Sequence, residues 1–200
     1  MPLELFASLL ALSFAAAWTP GPNNALIAAS GANFGLRRSL PHVLGITLGF
    51  PVMVLAVGLV LGELFQQSAM LRGILRWGGA ALLLWVAWQI ARSGGLGGRP
   101  ESARPFTFLE SAAFQWINPK GWVMAIAITA QFVRPEAPLA TAGLVALAFL
   151  GAGLTSSLAW AGLGRALARW LESPARLRAF NATMGALIAL GVVAILADAV

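Results

Sequence analysis

Six stretches of this chain run long without charge: Leu5–Leu36, Ser39–Gly62, Trp77–Ala91, Ser111–Val133 with only Lys120 inside it, Ala137–Gly164, and Ala179–Ala197. A helix crosses the hydrocarbon core of a bilayer with about 20 apolar residues, so the pattern predicts six membrane-spanning helices. The Trp77 stretch is the shortest and lengthens if Arg76 and Arg92 snorkel to the interfaces. The first stretch holds 32 uncharged residues. As one helix it would be about 48 Å long against a core of about 30 Å, so it must break, tilt or run past the interface. Ala15-Ala16-Ala17 looks like a signal-peptide cleavage site, yet no basic residue precedes Arg37. We therefore read it as an uncleaved first span.

Proline falls inside these runs at two matched places. The first span holds Thr19-Pro20-Gly21-Pro22-Asn23-Asn24, and the fourth holds Asn118-Pro119-Lys120-Gly121. Pro20 and Pro119 lie 99 residues apart, with three spans beginning at each break. An odd number of spans per half makes the second half enter the membrane from the opposite face. This predicts an all-α integral membrane fold of two inverted three-helix repeats, 1–92 and 106–200, joined by a flexible linker over 93–105. Matched Gly/Pro interruptions are the best sequence pointer to a transporter's binding site. A helix-interior proline also frees the carbonyl four residues earlier. Pro20, Pro22 and Pro119 thus free those of Ala16, Trp18 and Gln115, and such groups need partners when no water is near. Half-helix N-termini attract carboxylates, while loose carbonyls attract cations. Together they hold the two poles of a zwitterion.

Composition narrows the reading. The chain is 59% hydrophobic and 10% charged, with mean hydropathy +0.81, against about 25% charged in soluble domains. Lipid must be its solvent. The absence of cysteine removes disulfides and thiolate metal sites, and one histidine, His42, with seven carboxylates leaves no metal centre. No cofactor is expected. The formal charge of +6 comes from dispersed arginines, which fits basic cytoplasmic loops rather than nucleic-acid binding. Nine arginines (Arg37, Arg38, Arg92, Arg99, Arg104, Arg165, Arg169, Arg176 and Arg178) fall on one side of a six-span topology. Only Arg72, Arg76 and Arg134 fall on the other. Basic loops stay in the cytoplasm, so both termini are expected outside.

Lys120 stands in a charge-free run ten residues from Glu110. An ammonium there costs about 2.5–3.5 kcal/mol on insertion scales. It reads as a carboxylate-binding or proton-exchanging group, against the alternative of a lysine snorkelling between Trp116 and Trp122. Glu110 and His42 are further proton-coupling candidates, each weighed against an ordinary interfacial role. Gln115 and Trp18 adjoin the breaks and join the candidate substrate-binding set. Trp77, Trp122 and Trp170 read as interface anchors. Gly45-Ile46-Thr47-Leu48-Gly49 and Gly58 to Gly62 are G-x-x-x-G elements, which serve internal packing or a homodimer seam.

TPGPNN, followed by SGANFGLRRSLPHVLGITLGF and then by Asn118-Pro119-Lys120-Gly121, resembles the LysE/RhtB family of amino-acid exporters over essentially the whole chain. The resemblance implies a multi-pass bacterial inner-membrane protein that exports amino acids or related metabolites, driven by the proton gradient. Carried over by position, its motif residues are Thr19, Pro20, Gly21, Pro22 and Asn23, then Asn118, Pro119 and Lys120. The lack of a deep carboxylate favours neutral, zwitterionic substrates. The alternatives are an exporter of another small solute or cation and a non-transporting membrane scaffold. An intramembrane enzyme would need a nucleophile with its base, or a metal-ligand set.

Overall fold

The computed structural model describes residues 1–61, 68–92, 104–168 and 170–197. Among them all regular structure is helical: α1 (Leu3–Trp18), α2 (Pro22–Phe34), α3 (Leu36–Ala56, continued by a π-helical turn over Val57–Leu61), α4 (Ala69–Arg92), α5 (Phe108–Ile117), α6 (Pro119–Phe132), α7 (Pro138–Leu167) and α8 (Pro174–Ala197). A 3₁₀ turn, Trp170–Glu172, precedes α8. The expected linker 93–105 lies outside the described residues except for Arg104 and Pro105, as do Glu63 and Asp198.

Proline and glycine set the boundaries. Pro22 and Pro119 each occupy the first position of a helix, where the missing N–H is no loss and the fixed φ is already helical. Gly35 separates α2 from α3 at φ +80°, a left-handed conformation that a side chain strongly disfavours. Pro41 and Pro51 lie inside α3 without ending it. The equivalent helix starts are thus Pro22 and Pro119, whereas the sequence pattern pairs Pro20 with Pro119. Pro20 belongs to the extended connection between α1 and α2.

Three helices are long and apolar enough to cross a membrane: Leu36–Val60, Pro138–Leu167 and Pro174–Val193. A fourth span forms if α1 and α2, bent by 55° at their break, count as one. The protein is therefore an all-helical membrane protein with three or four such spans among its described residues. Helix α4 has 24 residues, but it takes in Arg72 and Arg76, which the sequence pattern leaves in a loop.

Helix α7 is the hub, packing against α1, α2 and α3, while α5 packs against α3 and α4 against α8. In lipid, apolar burial gives helices no drive to associate, so close van der Waals approach between small residues takes over. A β-carbon on Gly31 would collide with the Ala161 carbonyl, and one on Gly164 with that of Ala28. Gly45 and Gly49 meet Ser111 and Ala112 in the same way, so this G-x-x-x-G element packs α3 on α5 inside the molecule. Gly151 and Gly162 have nothing within 4 Å of that position. Polar clasps complete the packing: Ser30 and Ser39 hydroxyls lie 2.8 Å apart, and the Asn33 amide donates to Asn181 at 3.3 Å.

Gly164→Leu is expected to destabilise the bundle by about 1–3 kcal/mol through overpacking against backbone, while Gly151→Leu leaves it unchanged. Thermal unfolding of the detergent-solubilised variants measures the difference.

Candidate functional site at the two helix breaks

The first break is stitched by side chains. Thr19 closes α1, its N–H and Oγ1 both donating to the Ala15 carbonyl at 3.0 and 2.6 Å. The Asn24 amide donates to the Ala17 and Thr19 carbonyls, each at 3.0 Å, and Ser156 Oγ on α7 adds a 2.8 Å bond to Ala17. The carbonyls that gain side-chain partners are thus those of Ala15, Ala17 and Thr19, whereas the proline rule points to Ala16 and Trp18. The rule presumes helix up to the proline, and here the helix already stops at Trp18.

The second break repeats the logic with other groups. Asn118 caps α6, its Oδ1 accepting from the Lys120 N–H at 3.1 Å. The Trp116 carbonyl, which that N–H would meet in an unbroken helix, accepts instead from the Trp122 indole at 2.8 Å. Trp122 is accordingly buried and does not act as an interface anchor. Trp77 and Trp170 are exposed, as anchors must be.

The Asn23–Gln115 pair ties the breaks together and sets the polarity of the site. Gln115, fully buried, donates Nε2 to the Ser111 carbonyl at 2.9 Å. Its Oε1 therefore faces Asn23, whose Nδ2 donates to it at 2.8 Å. The Asn23 amide is thereby oriented, its Oδ1 accepting only a long 3.5 Å bond from Gln115 Nε2. On Asn118 the opposite holds: Oδ1 is taken by the cap, and Nδ2 has no partner among the described residues.

Between the breaks lies a cavity of about 70 Å³. Thr19, Gly21, Pro22, Asn23, Asn24, Asn118 and Lys120 all line it. Trp18, Pro20, Pro119 and Gln115 are not among the lining residues: Trp18 is exposed, and Gln115 touches the lining through its bond to Asn23. Lys120 reaches across to the first break. Its Nζ donates weakly to the Thr19 carbonyl at 3.4 Å, and a β-carbon at Gly21 would come within 2.8 Å of it. No carboxylate pairs with Lys120 among the described residues. The cavity thus contains an unpaired ammonium beside the N-termini of two half-helices, whose dipoles add to the attraction for an anion.

Sequence reasoning missed the opposite wall, where α7 contributes Phe149, Gly153, Ser156 and Ser157. The available signal was the polar run Thr155-Ser156-Ser157 inside an otherwise apolar helix.

The other two candidates stand outside the cavity. His42 is buried and lies 5.2 Å from the Phe106 ring, its Nδ1 without a partner among the described residues. Glu110 forms a two-pronged ion pair with Arg104, both contacts 2.6 Å, and closes a capping box with Thr107. The Arg104 guanidinium, helped by the Thr107 N–H, pulls the Glu110 carboxyl down to about 2.

Irregular backbone beside a cavity between apolar helices is the arrangement in which membrane translocators place their binding sites. The chain belongs to the LysE-type translocator family, whose model (LysE type translocator) matches residues 14–197. It is 34% identical over 171 residues to a cysteine/O-acetylserine efflux protein of Klebsiella pneumoniae, covering 84% of this chain and 86% of that one. It is 28% identical over 204 residues to a homoserine/homoserine lactone efflux protein of Salmonella typhimurium, covering 100% and 98%. No solved structure gives a significant match. The family is one of efflux proteins, not enzymes, and places this chain among the multi-pass inner-membrane proteins.

Because Glu110 titrates below its ordinary 4.5, the ion pair stabilises the cap above that pH, and the contribution is lost as pH falls from there toward 2. Glu110→Gln is therefore expected to leave the pH profile of transport between 5.5 and 8 unchanged, as measured in vesicles at a series of fixed external pH values.

Proposed function

We propose that this protein exports small neutral amino acids, or metabolites closely related to them, from the cytoplasm. The observation that carries the reading is the unpaired Lys120 ammonium in a cavity built from two helix breaks. Lys120 Nζ and Asn118 Nδ2 take the substrate carboxylate. The Asn23 Oδ1 and the carbonyls of the first break accept from its ammonium. Among the described residues no Asp or Glu lines the cavity, so a substrate bearing a second positive charge would find no counter-ion there, which favours zwitterions. Of the efflux substrates named for the relatives, cysteine, O-acetylserine and homoserine are small zwitterions, whereas homoserine lactone has no free carboxylate.

The architecture we infer is six spans in two inverted repeats, α1–α4 and α5–α8, with both termini outside and the arginine-rich loops in the cytoplasm. Three features support it. Pro22 and Pro119 open the second half-helix of each repeat. Helix α1 packs on α7 as α5 packs on α3, the exchange that a two-fold axis in the membrane plane would make. Helices α3 with α7, and α4 with α8, pair across the same axis. Alternating access then consists of one half rocking against the other about the cavity. Proton antiport supplies the drive, and Lys120, the one titratable group in the described lining, is the residue whose charge both substrate and proton affect.

In cells loaded with dipeptides, expression of the protein is expected to raise excretion of the released neutral amino acids. Lys120→Ala is expected to cut that excretion at least tenfold, about 1.4 kcal/mol of lost binding or more, with membrane levels unchanged. Excretion that never rises with the wild-type protein, or that persists in full in Lys120→Ala, would overturn the reading.

A further inference from the structure

Among the cavity-lining side chains, one polar group has no task in holding the fold together. Ser157 on α7 is 3% exposed and lines the cavity, yet its hydroxyl makes no hydrogen bond among the described residues. A serine or threonine buried in a helix ordinarily donates back to the carbonyl four residues earlier. Thr129 does so to Ala125 at 2.7 Å, Ser111 to Thr107 at 2.8 Å, and Thr141 to Ala137 at 2.7 Å. For Ser157 that carbonyl belongs to Gly153, and the bond is not made. The neighbouring Ser156 is already committed, since its hydroxyl secures the Ala17 carbonyl at the first break. Buried hydroxyls on Ser13 and Thr47 also lack partners, but neither residue lines the cavity.

Gly153, one turn before Ser157, is unlike the packing glycines. A β-carbon at Gly31, Gly45, Gly49 or Gly164 would collide with a neighbouring helix, whereas at Gly153 nothing lies within 4 Å. Close helix approach therefore does not explain it. What its missing side chain leaves is room in the cavity wall. One turn earlier still, Phe149 packs edge-on against Phe50, ring centres 5.0 Å apart, and both rings line the cavity. Positions 149, 153 and 157 recur every four residues, so they share one face of α7. That face presents an apolar floor, a gap and an unengaged hydroxyl.

We propose that Gly153 and Ser157 form the side-chain subsite of the cavity, which receives a short side chain bearing a hydroxyl or thiol and selects it over its apolar isostere. The proposal rests on the reading of the cavity as an amino-acid site and adds what sets the preference within that class. Lys120, Asn118 and Asn23 hold the groups common to every amino acid and cannot discriminate among them. The gap at Gly153 admits a side chain of limited length, and the Ser157 hydroxyl, which donates and accepts, completes the hydrogen bonds that a buried hydroxyl or thiol would otherwise lack. A site arranged to bond a substrate hydroxyl rejects the analogue without it more strongly than an apolar pocket rejects an added methylene.

The full-length protein reconstituted in proteoliposomes tests this with two matched pairs of labelled probes, serine against alanine and threonine against valine. Wild type is expected to prefer the hydroxyl member of each pair by about tenfold or more. Ser157→Ala should bring both ratios near unity, and Ser157→Thr, which keeps the hydroxyl, should restore the preference. Gly153→Val should depress threonine and valine transport together, and more than alanine transport. Unchanged ratios in a Ser157→Ala protein that still carries alanine would overturn the subsite and leave the exporter reading intact. A wild-type protein that moves none of the four probes would overturn both.

Discussion

Every backbone polar group that the two proline breaks release must find a partner inside an apolar bundle, because lipid offers none. That requirement accounts for the polar side chains that flank the two breaks. Asn24 and Ser156 serve the Ala17 carbonyl, Thr19 serves Ala15, Asn118 serves the Lys120 N–H, and the Trp122 indole serves Trp116. Each bond fixes a side chain that would otherwise rotate freely. The cavity between the breaks is thus lined by groups whose orientation is decided by the repair of the backbone. Its electrostatic character follows: acceptors near Asn23, donors near Asn118, and an ammonium without a counter-ion.

The hydrophobic pattern carried the all-helical membrane class and the positions of both breaks, since each depends on residues local in sequence. It placed the break-flanking residues at one site, and Thr19 to Asn24 and Asn118 to Lys120 do converge. It did not reveal which carbonyls would be repaired, because that depends on where α1 stops, and the chain leaves the helix a residue before Pro20. It misjudged Trp122 for a related reason: a tryptophan near a lysine reads as an interface residue until the vacant Trp116 carbonyl is seen beside it.

The α7 wall was less legible. Gly153, Ser156 and Ser157 look like any small-residue face in a membrane helix, and sequence spacing cannot separate glycines that allow close contact from one that leaves space. Only the packing of α1, α2 and α3 around α7 makes that division. The Arg104–Glu110 pair shows the converse limit. The acid was visible as a charge at a helix start, but its capping role and its partner were settled by the turn geometry around Thr107.

The weak bond from the Lys120 ammonium to the Thr19 carbonyl joins the second break to the first through a long, flexible side chain. In the proposed site, a carboxylate that draws the ammonium into the cavity would remove its weak hold on the Thr19 carbonyl, so loading the site and loosening that tether would be one event. Cargo would in this way act as its own latch key, reporting occupancy to the other half of the chain without any separate relay.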